Sequence, residues 1–193
     1  MLDSGGMDAV EAAFAAHPRQ GFLRAPDRRR AGYDGPLAIG HGQTSSQPST
    51  VAAMLRLLDV RAGQSVLDVG AGSGWTTALL GHLTGPAGRV RGVELEPDLV
   101  AFGSANLAAT NQSWVSMEAA GPGILGLPDH APYDRILVSA EPGALPGELV
   151  AQLGEGGVMV IPVAGTMLRV VRRAAQTDPV ITEHGRYRFV PLR

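Results

Sequence analysis

The chain contains no cysteine. This absence excludes a disulfide framework, a thiolate zinc site and a cysteine nucleophile. An excess of either charge is missing too, because 16 Lys and Arg stand against 18 Asp and Glu. Without a basic excess the chain is poorly suited to neutralise a nucleic-acid backbone, and we expect no nucleic-acid partner.

Long apolar runs are absent from the sequence. No uninterrupted apolar stretch is long enough to span a bilayer, so we expect no membrane partner. Residues 1–6 have neither the basic start nor the apolar segment of a signal peptide. Together with the lack of cysteine, these features predict a cytoplasmic protein, and we favour a monomer.

The histidines do not form a recognisable site. Their spacing matches neither a pair of metal ligands nor a Ser–His–Asp arrangement, and this holds for His17, His41, His82, His130 and His184. We therefore expect no metal and no nucleophilic serine.

A short strand followed by a glycine turn is the feature around which the chain is organised. Residues 66–69 read Val-Leu-Asp-Val and run directly into Gly-Ala-Gly-Ser-Gly and then into a helical segment that starts at Trp75. A strand, a glycine turn and a helix N-terminus together bring backbone N–H groups against a nucleotide-like ligand. The stretch predicts an adenosine-type cofactor.

The rest of the chain alternates between apolar patterns typical of helices and apolar patterns typical of strands. The patterns predict helices at 7–16, 48–58, 75–80, 98–109 and 145–153, and strands at 66–69, 89–95, 114–117, 133–139, 156–163, 167–173 and 180–192. Residues 19–42 are rich in glycine and proline and are predicted as a loop, with a possible role as a lid. This order predicts one domain over 1–193: a doubly wound α/β fold whose mostly parallel seven-stranded sheet ends in an antiparallel strand pair. Within it, residues 1–60 are predicted to be an N-terminal helical and loop extension for the substrate site.

Two residues help to decide which adenosine-type cofactor the chain binds. Glu94 lies about 20 residues beyond Gly74 at the end of the next strand, where a carboxylate binds the ribose hydroxyls. Glu96 would point to the opposite face because side chains alternate along a strand. Trp75 occupies the position that must be small in the dinucleotide fingerprint, which argues against NAD. The spacing Asp68-x-Gly70-x-Gly72-x-Gly74 instead favours S-adenosylmethionine.

Several segments resemble the protein-L-isoaspartate O-methyltransferase family. The sequence Gly-Gln-Thr-Ser-Ser-Gln-Pro at 42–48 is similar to the family's signature loop, and matches follow in order at 11–19, 131–138, 152–157, 161–163 and 188–192. The resemblance implies a Rossmann-like methyltransferase fold. It also implies methyl transfer from S-adenosylmethionine to the free carboxylate of isoaspartyl residues in damaged proteins or peptides, for repair, with S-adenosylhomocysteine as the product.

The resemblance also implies a set of site residues. Ser46 is the implied catalytic residue, although a helix-entry cap before Pro48 is an alternative role for it. Thr44, Gln47, Pro48 and Val190 are expected to bind the substrate. The expected cofactor-binding residues are Gln43, Thr44, Asp68, Gly70, Ala71, Gly72, Ser73, Glu94, Leu95, Gly121 and Gly123.

Some positions depart from the family's pattern. Pro122 stands where the family has an Asp that helps to hold the adenosyl group, and Glu118 is a candidate substitute. Glu141 would repel a substrate carboxylate if it faced the site, and Arg193 could attract one. The alternatives are a relative that methylates another carboxylate or a small molecule, a non-catalytic adenosyl-ligand-binding protein, and an NAD oxidoreductase.

Overall fold

Strands and helices alternate along most of the chain. The computed structural model describes residues 8–173 and 178–193. The strands are β1 (Leu37–Gly40), β2 (Gln43–Ser45), β3 (Ser65–Val69), β4 (Arg89–Glu94), β5 (Val115–Ala119), β6 (Tyr133–Val138), β7 (Leu153–Val163), β8 (Thr166–Val171) and β9 (Val180–Arg186). The helices are α1 (Ala9–Ala16), α2 (Pro48–Leu58), α3 (Trp75–Thr84), α4 (Pro97–Ala108) and α5 (Gly147–Ala151).

Seven of these strands form one sheet in the order β5-β4-β3-β6-β7-β8-β9. The first five strands in this order are parallel, and β8 and β9 are added antiparallel to β7 and to each other. The predicted doubly wound α/β fold with a terminal antiparallel strand pair is therefore confirmed. The order places β3, with the glycine turn at its end, in the interior of the sheet between β4 and β6.

Alternate residues of the central strands serve two separate cores. Val66 and Leu137 pack in the cluster that contains α1, α2 and α3, whereas Leu67 and Ile136 pack in a second cluster with Leu149 of α5. Because successive side chains of a strand point to opposite faces, a sheet covered on both sides needs apolar residues at every position. This explains the continuous apolar runs in β3 and β6.

Helix α2 follows directly from its sequence pattern. Pro48 occupies the first turn, where a missing N–H costs nothing, and Val51, Met54, Leu55 and Leu58 are all buried. The helix packs across the sheet toward β6 and β7. Its start therefore fixes the position of residues 43–47 relative to the carboxyl ends of the strands.

Residues 19–42 are not the loop that the composition predicts. They contain two 3-10 helices, Arg19–Phe22 and Ala25–Arg30, followed by β1, which pairs with β2 in a hairpin. The hairpin turn at 40–42 has positive φ at each residue, a geometry that its Gly-His-Gly sequence allows. The strands are only four and three residues long, too short to show a period in sequence.

The same segment is well packed against the domain. Leu23 and Ile39 are buried, and the Arg24 guanidinium lies 4.0 Å from the centroid of the Phe102 ring of α4. A lid motion of these residues stays a prediction, and such a motion would have to break this packing.

Some element bounds differ from the predictions. Helix α5 covers only Gly147–Ala151, and β7 begins at Leu153, three residues before the expected start at 156. Strand β9 ends at Arg186, so the chain beyond it is an irregular segment rather than strand. The predicted first residue of α1, Met7, lies outside the described residues. No helix in the described part of the chain has the length and apolar character needed to cross a membrane.

Candidate active site at the carboxyl ends of the strands

A cleft opens at the carboxyl ends of β3, β4 and β6. Ligands of open parallel sheets bind at this edge, beside the point where the strand order reverses. The lining includes these residues that the sequence singled out: Gln43, Thr44, Ser46, Gly70, Ala71, Gly72, Ser73, Glu94, Leu95 and Val190. We call it the first cleft.

The glycine turn forms the floor of the first cleft. The N–H groups of Gly70 and Ala71 both donate to the Val93 carbonyl, at 2.9 and 3.1 Å, and this ties the turn to β4. Gly74 has φ +81°, and a Cβ there would lie 3.1 Å from the Gly103 carbonyl oxygen of α4. Only glycine combines that backbone conformation with so close an approach, so α4 can pack directly against the turn.

The position after the turn is large because it faces a different helix. The Trp75 indole N–H donates to the His17 carbonyl at 2.9 Å, and the ring packs edge-on against Phe14 of α1 at 5.3 Å. The close packing that a small residue provides in dinucleotide-binding folds is provided here by Gly74 and Gly103. An indole at position 75 is thereby accommodated.

Glu94 is almost buried and lies at the side of the first cleft, with 7% of its surface exposed. Its Oε2 accepts the Gly72 N–H at 2.9 Å, and its Oε1 accepts the N–H groups of Leu95 and Glu96 at 2.7 and 3.1 Å. An ionised carboxylate offers about four acceptor positions, so these three bonds leave about one for a ligand hydroxyl. The residue is therefore held rigidly and still has capacity to bind a ribose.

Asp68 does not line the first cleft, contrary to its expected place among the cofactor-binding residues. It is completely buried, and its Oδ2 accepts hydrogen bonds from the hydroxyls of Thr76 and Thr77, both at 2.7 Å. It thus joins the end of β3 to the first turn of α3. Its Oδ1 is buried without a hydrogen-bond partner among the described residues.

The environment of Asp68 disfavours its charge. Burial raises the pKa of the Asp68 carboxyl from 3.8 to about 6, although the two threonine hydroxyls act in the opposite direction. Between these pH values the folded state holds a proton that the unfolded state has released. The free energy of unfolding therefore falls as the pH rises from about 4 to about 6.

We expect Asp68→Asn to remove this pH dependence. The wild type should lose stability relative to the variant between pH 4 and pH 7, by up to about 3 kcal/mol, because each pKa unit corresponds to about 1.4 kcal/mol. Urea unfolding of both proteins at several pH values measures this difference. A change in the free energy of unfolding that the asparagine causes equally at every pH does not affect this pH dependence. A wild-type–variant difference in that free energy that stays constant between pH 4 and pH 7 would contradict the prediction.

A second cleft adjoins the first. Four residues line both: Thr44, Ser46, Ser139 and Val190. Ser139 follows β6, and its N–H donates to the Val69 carbonyl at 2.8 Å, which places it beside the glycine turn. The sequence reasoning missed Ser139 as a site residue. The available signal was its position at the carboxyl end of a parallel strand next to β3.

Ser46 is positioned by its buried neighbour Ser45. Arg19, itself only 4% exposed, donates from Nε to the Ser45 hydroxyl at 3.1 Å and from Nη2 to the Ser45 carbonyl at 2.8 Å. The same guanidinium donates to the carbonyls of Tyr33 and Gly35, both at 3.0 Å. A buried arginine with these four contacts fixes the loop, and Ser46 then lies where the two clefts meet.

Gln47 lines the second cleft, but its amide donors are already used. Its Nε2 donates to Asp34 Oδ2 at 3.0 Å and to the Ser49 hydroxyl at 2.9 Å. Asp34 Oδ1 also accepts the Ser49 N–H at 2.9 Å, and these hydrogen bonds hold the pKa of Asp34 below its ordinary value. Gln47 can therefore offer a ligand its side-chain carbonyl oxygen as an acceptor. Its NH₂ group, which we expected to donate to the substrate, is already used. Pro48 is in the lining of neither cleft and begins α2.

The segment after β5 lines the first cleft, but with different residues from those that we expected. Within the described chain, the lining includes Ala120 and Ile124 but not Gly121 or Gly123. Glu118 is also outside the lining, and its carboxylate lies 3.7 Å from Arg91 Nε and 3.8 Å from His130 Nε2. Its carboxylate therefore has its charged neighbours outside the first cleft, and its role as a substitute for the aspartate stays a prediction.

Glu141 and Arg193, the two charged residues expected to act on a substrate carboxylate, have partners within the protein. The Glu141 carboxylate accepts the Phe189 N–H at 3.1 Å, and its backbone N–H donates to the Val190 carbonyl at 2.8 Å. Arg193 lines the first cleft and pairs with Glu96 at 2.6 Å. Glu141 therefore holds the segment that carries Val190, and Arg193 is paired close to Glu94. Among the described residues no cluster of acidic residues and histidines is placed to hold a metal.

Comparison with known proteins gives one consistent result. The family model described as "Protein-L-isoaspartate(D-aspartate) O-methyltransferase (PCMT)" matches residues 3–193. A protein-L-isoaspartate O-methyltransferase of Aeropyrum pernix is 43% identical over 188 residues, which cover 90% of this chain and 72% of the relative.

Solved structures agree with this result. A solved protein-L-isoaspartate O-methyltransferase superposes with a TM-score of 0.86 at 25% identity, covering 97% of this chain and 62% of that chain. Thus the chain spans less than two thirds of that solved protein. A second structure, assigned to the same activity in Plasmodium falciparum and complexed with S-adenosyl-L-homocysteine, has a TM-score of 0.82 at 23% identity, covering 97% and 91% of the two chains.

Proposed function

The chain belongs to the protein-L-isoaspartate(D-aspartate) O-methyltransferase family, and from that premise we propose a role for each part of its site. The protein is an S-adenosylmethionine-dependent methyltransferase. It methylates the free carboxylate of isoaspartyl residues in damaged proteins or peptides, and S-adenosylhomocysteine is the product. A backbone amide nitrogen then attacks the ester carbonyl, which closes a succinimide and releases methanol. Hydrolysis of the succinimide returns part of the residue to normal aspartate.

The meeting of two clefts at shared residues is the observation that carries the proposal. The first cleft, with the glycine turn and Glu94, takes the adenosyl cofactor, and the second takes the peptide. Thr44, Ser46, Ser139 and Val190 line both and mark the place where the carboxylate meets the methyl group. Donor and acceptor can then approach from opposite sides, as an in-line displacement requires.

The first cleft fits the cofactor in two respects. The turn presents backbone close to the ligand without side chains at Gly70 and Gly72, and Glu94 keeps about one free acceptor position for a ribose hydroxyl. When bound, S-adenosylmethionine would supply a methyl group attached to a sulfonium: the bond between sulfur and methyl breaks as the bond between methyl and carboxylate oxygen forms, and the sulfur is left as a neutral thioether.

The protein has little acid–base work to do in this reaction. A carboxylate is already ionised near neutral pH, so no general base has to remove a proton. The rate then depends mainly on alignment, which can contribute roughly 7–11 kcal/mol in favourable cases. The hydroxyls of Thr44, Ser46 and Ser139 can hold the carboxylate by donating to it without neutralising it.

Ser46→Ala tests the role of the shared residues. We expect the turnover number to fall about 10- to 100-fold, since a hydrogen bond to a charged group contributes about 1.5–3 kcal/mol. The affinity for S-adenosylhomocysteine should change by less than about twofold, because the adenosyl end lies against the glycine turn. Steady-state kinetics and calorimetry give the two quantities.

Ser113→Ala is the matched control for this experiment. Ser113 is an exposed serine in the turn before β5, outside both clefts. The control should leave both quantities unchanged. An equal loss of turnover and cofactor affinity in Ser46→Ala would instead assign Ser46 to the cofactor site.

Transfer of labelled methyl groups separates the alternatives. We expect base-labile label on an isoaspartyl peptide and none on the matching aspartyl peptide. Label on neither peptide, with S-adenosylhomocysteine binding intact, would favour the non-catalytic protein or a methyltransferase for another acceptor. NAD binding without S-adenosylhomocysteine binding would favour the oxidoreductase.

The remaining expectations concern the protein's surroundings. A cytoplasmic location, a monomeric state and the absence of a nucleic-acid partner stay predictions from composition. Fractionation of cell extracts, light scattering and filter binding would test them in turn.

A further inference from the structure

The second cleft has a positively charged rim. Arg186 and Arg188 belong to its lining, and among the described lining residues there is no Asp or Glu. The other members are neutral, and several offer hydroxyl or amide groups. The wall of this cleft therefore carries a formal charge of +2 from its two arginines.

The arginines of this rim have no carboxylate partner in the described part of the chain. Salt bridges are found for other arginines, but Arg186 and Arg188 lie further than 4.0 Å from every acidic oxygen of residues 8–173 and 178–193. Both side chains are exposed. Two carboxylates outside the lining hydrogen-bond to lining residues: Asp34 accepts from Gln47 and Ser49, and Glu141 accepts from the Phe189 N–H. Neither lies within 4.0 Å of the two guanidinium groups, so both guanidinium groups stay available to a substrate carboxylate.

The backbone that carries the rim is fixed. The N–H of Tyr187 donates to the Gly165 carbonyl at 2.9 Å, and the N–H of Phe189 donates to the Glu141 carboxylate at 3.1 Å. Arg186 ends β9, where it is registered against Thr166 of β8. Two guanidinium groups are thus presented from an anchored segment at the mouth of the cleft that ends at Ser46.

We propose that Arg186 and Arg188 select isoaspartyl substrates that carry further carboxylates beside the damaged residue. The proposal rests on the methyltransferase function given above. Guanidinium groups form strong paired hydrogen bonds with carboxylates, and exposed ones also accelerate the encounter with acidic peptides. Acidic flanking residues therefore lower KM, and the effect weakens as salt screens the charges.

A set of matched peptides tests this selection. Peptides with one isoaspartyl residue carry Glu, Gln or Lys at the preceding or the following position, and kcat/KM is measured for each at low and high ionic strength. We expect the Glu peptides to exceed the Gln peptides by about 3- to 10-fold at low salt, as exposed ion pairs allow. The Lys peptides should fall below the Gln peptides.

Variants connect the preference to these two residues. In the double variant R186Q/R188Q the ratio of the Glu to the Gln peptide should fall to about one, and in R186E/R188E the order of the Glu and Lys peptides should reverse. Arg89→Gln is the matched control, because Arg89 is exposed at the start of β4, which is separated from β9 by four strands of the sheet. It should keep the wild-type ratio.

The outcomes are distinguishable. Equal rates for Glu, Gln and Lys peptides in the wild type, or an unchanged ratio in R186E/R188E, would overturn the proposal while leaving the methyltransferase function intact. Methylation of none of the isoaspartyl peptides would overturn the proposed function together with this inference. A variant that merely folds poorly would lower all rates in common and could not reverse the order of the peptides.

Discussion

Glu94→Ala is expected to lower the affinity for S-adenosylhomocysteine by about 100-fold or more. The change removes a rigid carboxylate from the side of the first cleft and with it the proposed acceptor for a ribose hydroxyl. It also leaves the N–H groups of Gly72, Leu95 and Glu96 without their side-chain acceptor, so the turn itself should loosen. A charged hydrogen bond of about 1.5–3 kcal/mol and a disordered turn together account for this size of effect.

Calorimetric titration of the folded proteins with S-adenosylhomocysteine measures the loss. Glu155→Gln is the control, since Glu155 is an exposed carboxylate of β7 and lies outside the lining of the first cleft. We expect the control to change the affinity by less than about threefold. Wild-type affinity in Glu94→Ala, or an equal loss in both variants, would contradict the role of Glu94.

Trp75→Ala is expected to lower the free energy of unfolding by about 3–5 kcal/mol. Trp75 is 3% exposed and packs in the core cluster that joins α1, α2 and α3. Its ring meets Phe14 edge-on at 5.3 Å, with the Arg19 guanidinium 5.5 Å from its centroid. The truncation leaves a cavity between α1 and α3, and the His17 carbonyl loses its hydrogen bond.

Trp75→Phe separates the ring from the hydrogen bond. It keeps an aromatic ring against Phe14 and loses only the indole N–H and some volume, so a cost of about 1–2 kcal/mol is expected. Urea unfolding followed by circular dichroism, without cofactor, gives both values. A cost below about 1 kcal/mol in Trp75→Ala would mean that α1 is not held to the domain through this residue.

Local sequence patterns predicted the frame of the site well. Short stretches of sequence were enough to recognise the apolar run of residues 66–69, the glycines that follow it and the carboxylate of Glu94. The structure brings these features together at one edge of the sheet. Helix α2 was equally readable from the spacing of its apolar residues. In each case the conformation depends on neighbours along the chain.

Other features could not be read in this way. The hairpin of β1 and β2 is too short for a period, and the role of Arg19 depends on carbonyls at Tyr33, Gly35 and Ser45. Residue type suggested that Gln47 donates to the substrate, but Asp34 already accepts from its amide. These contacts join residues separated by 13 to 26 positions, and no local pattern specifies them.

The sequence by itself predicted the sheet class, the glycine turn, Glu94 as the candidate ribose carboxylate and, through resemblance, the reaction. Apolar periodicity, the backbone freedom of glycine and spacing along the chain are local properties, so they can be recognised in the sequence without the structure. Only the tertiary structure buried Asp68 outside both clefts, brought Ser139 into the two linings that also contain Ser46, and put two arginines in the lining of the second cleft. The physical reason is that parallel strands distant in sequence end at the same edge, and which side chains meet there depends on how the whole sheet is covered.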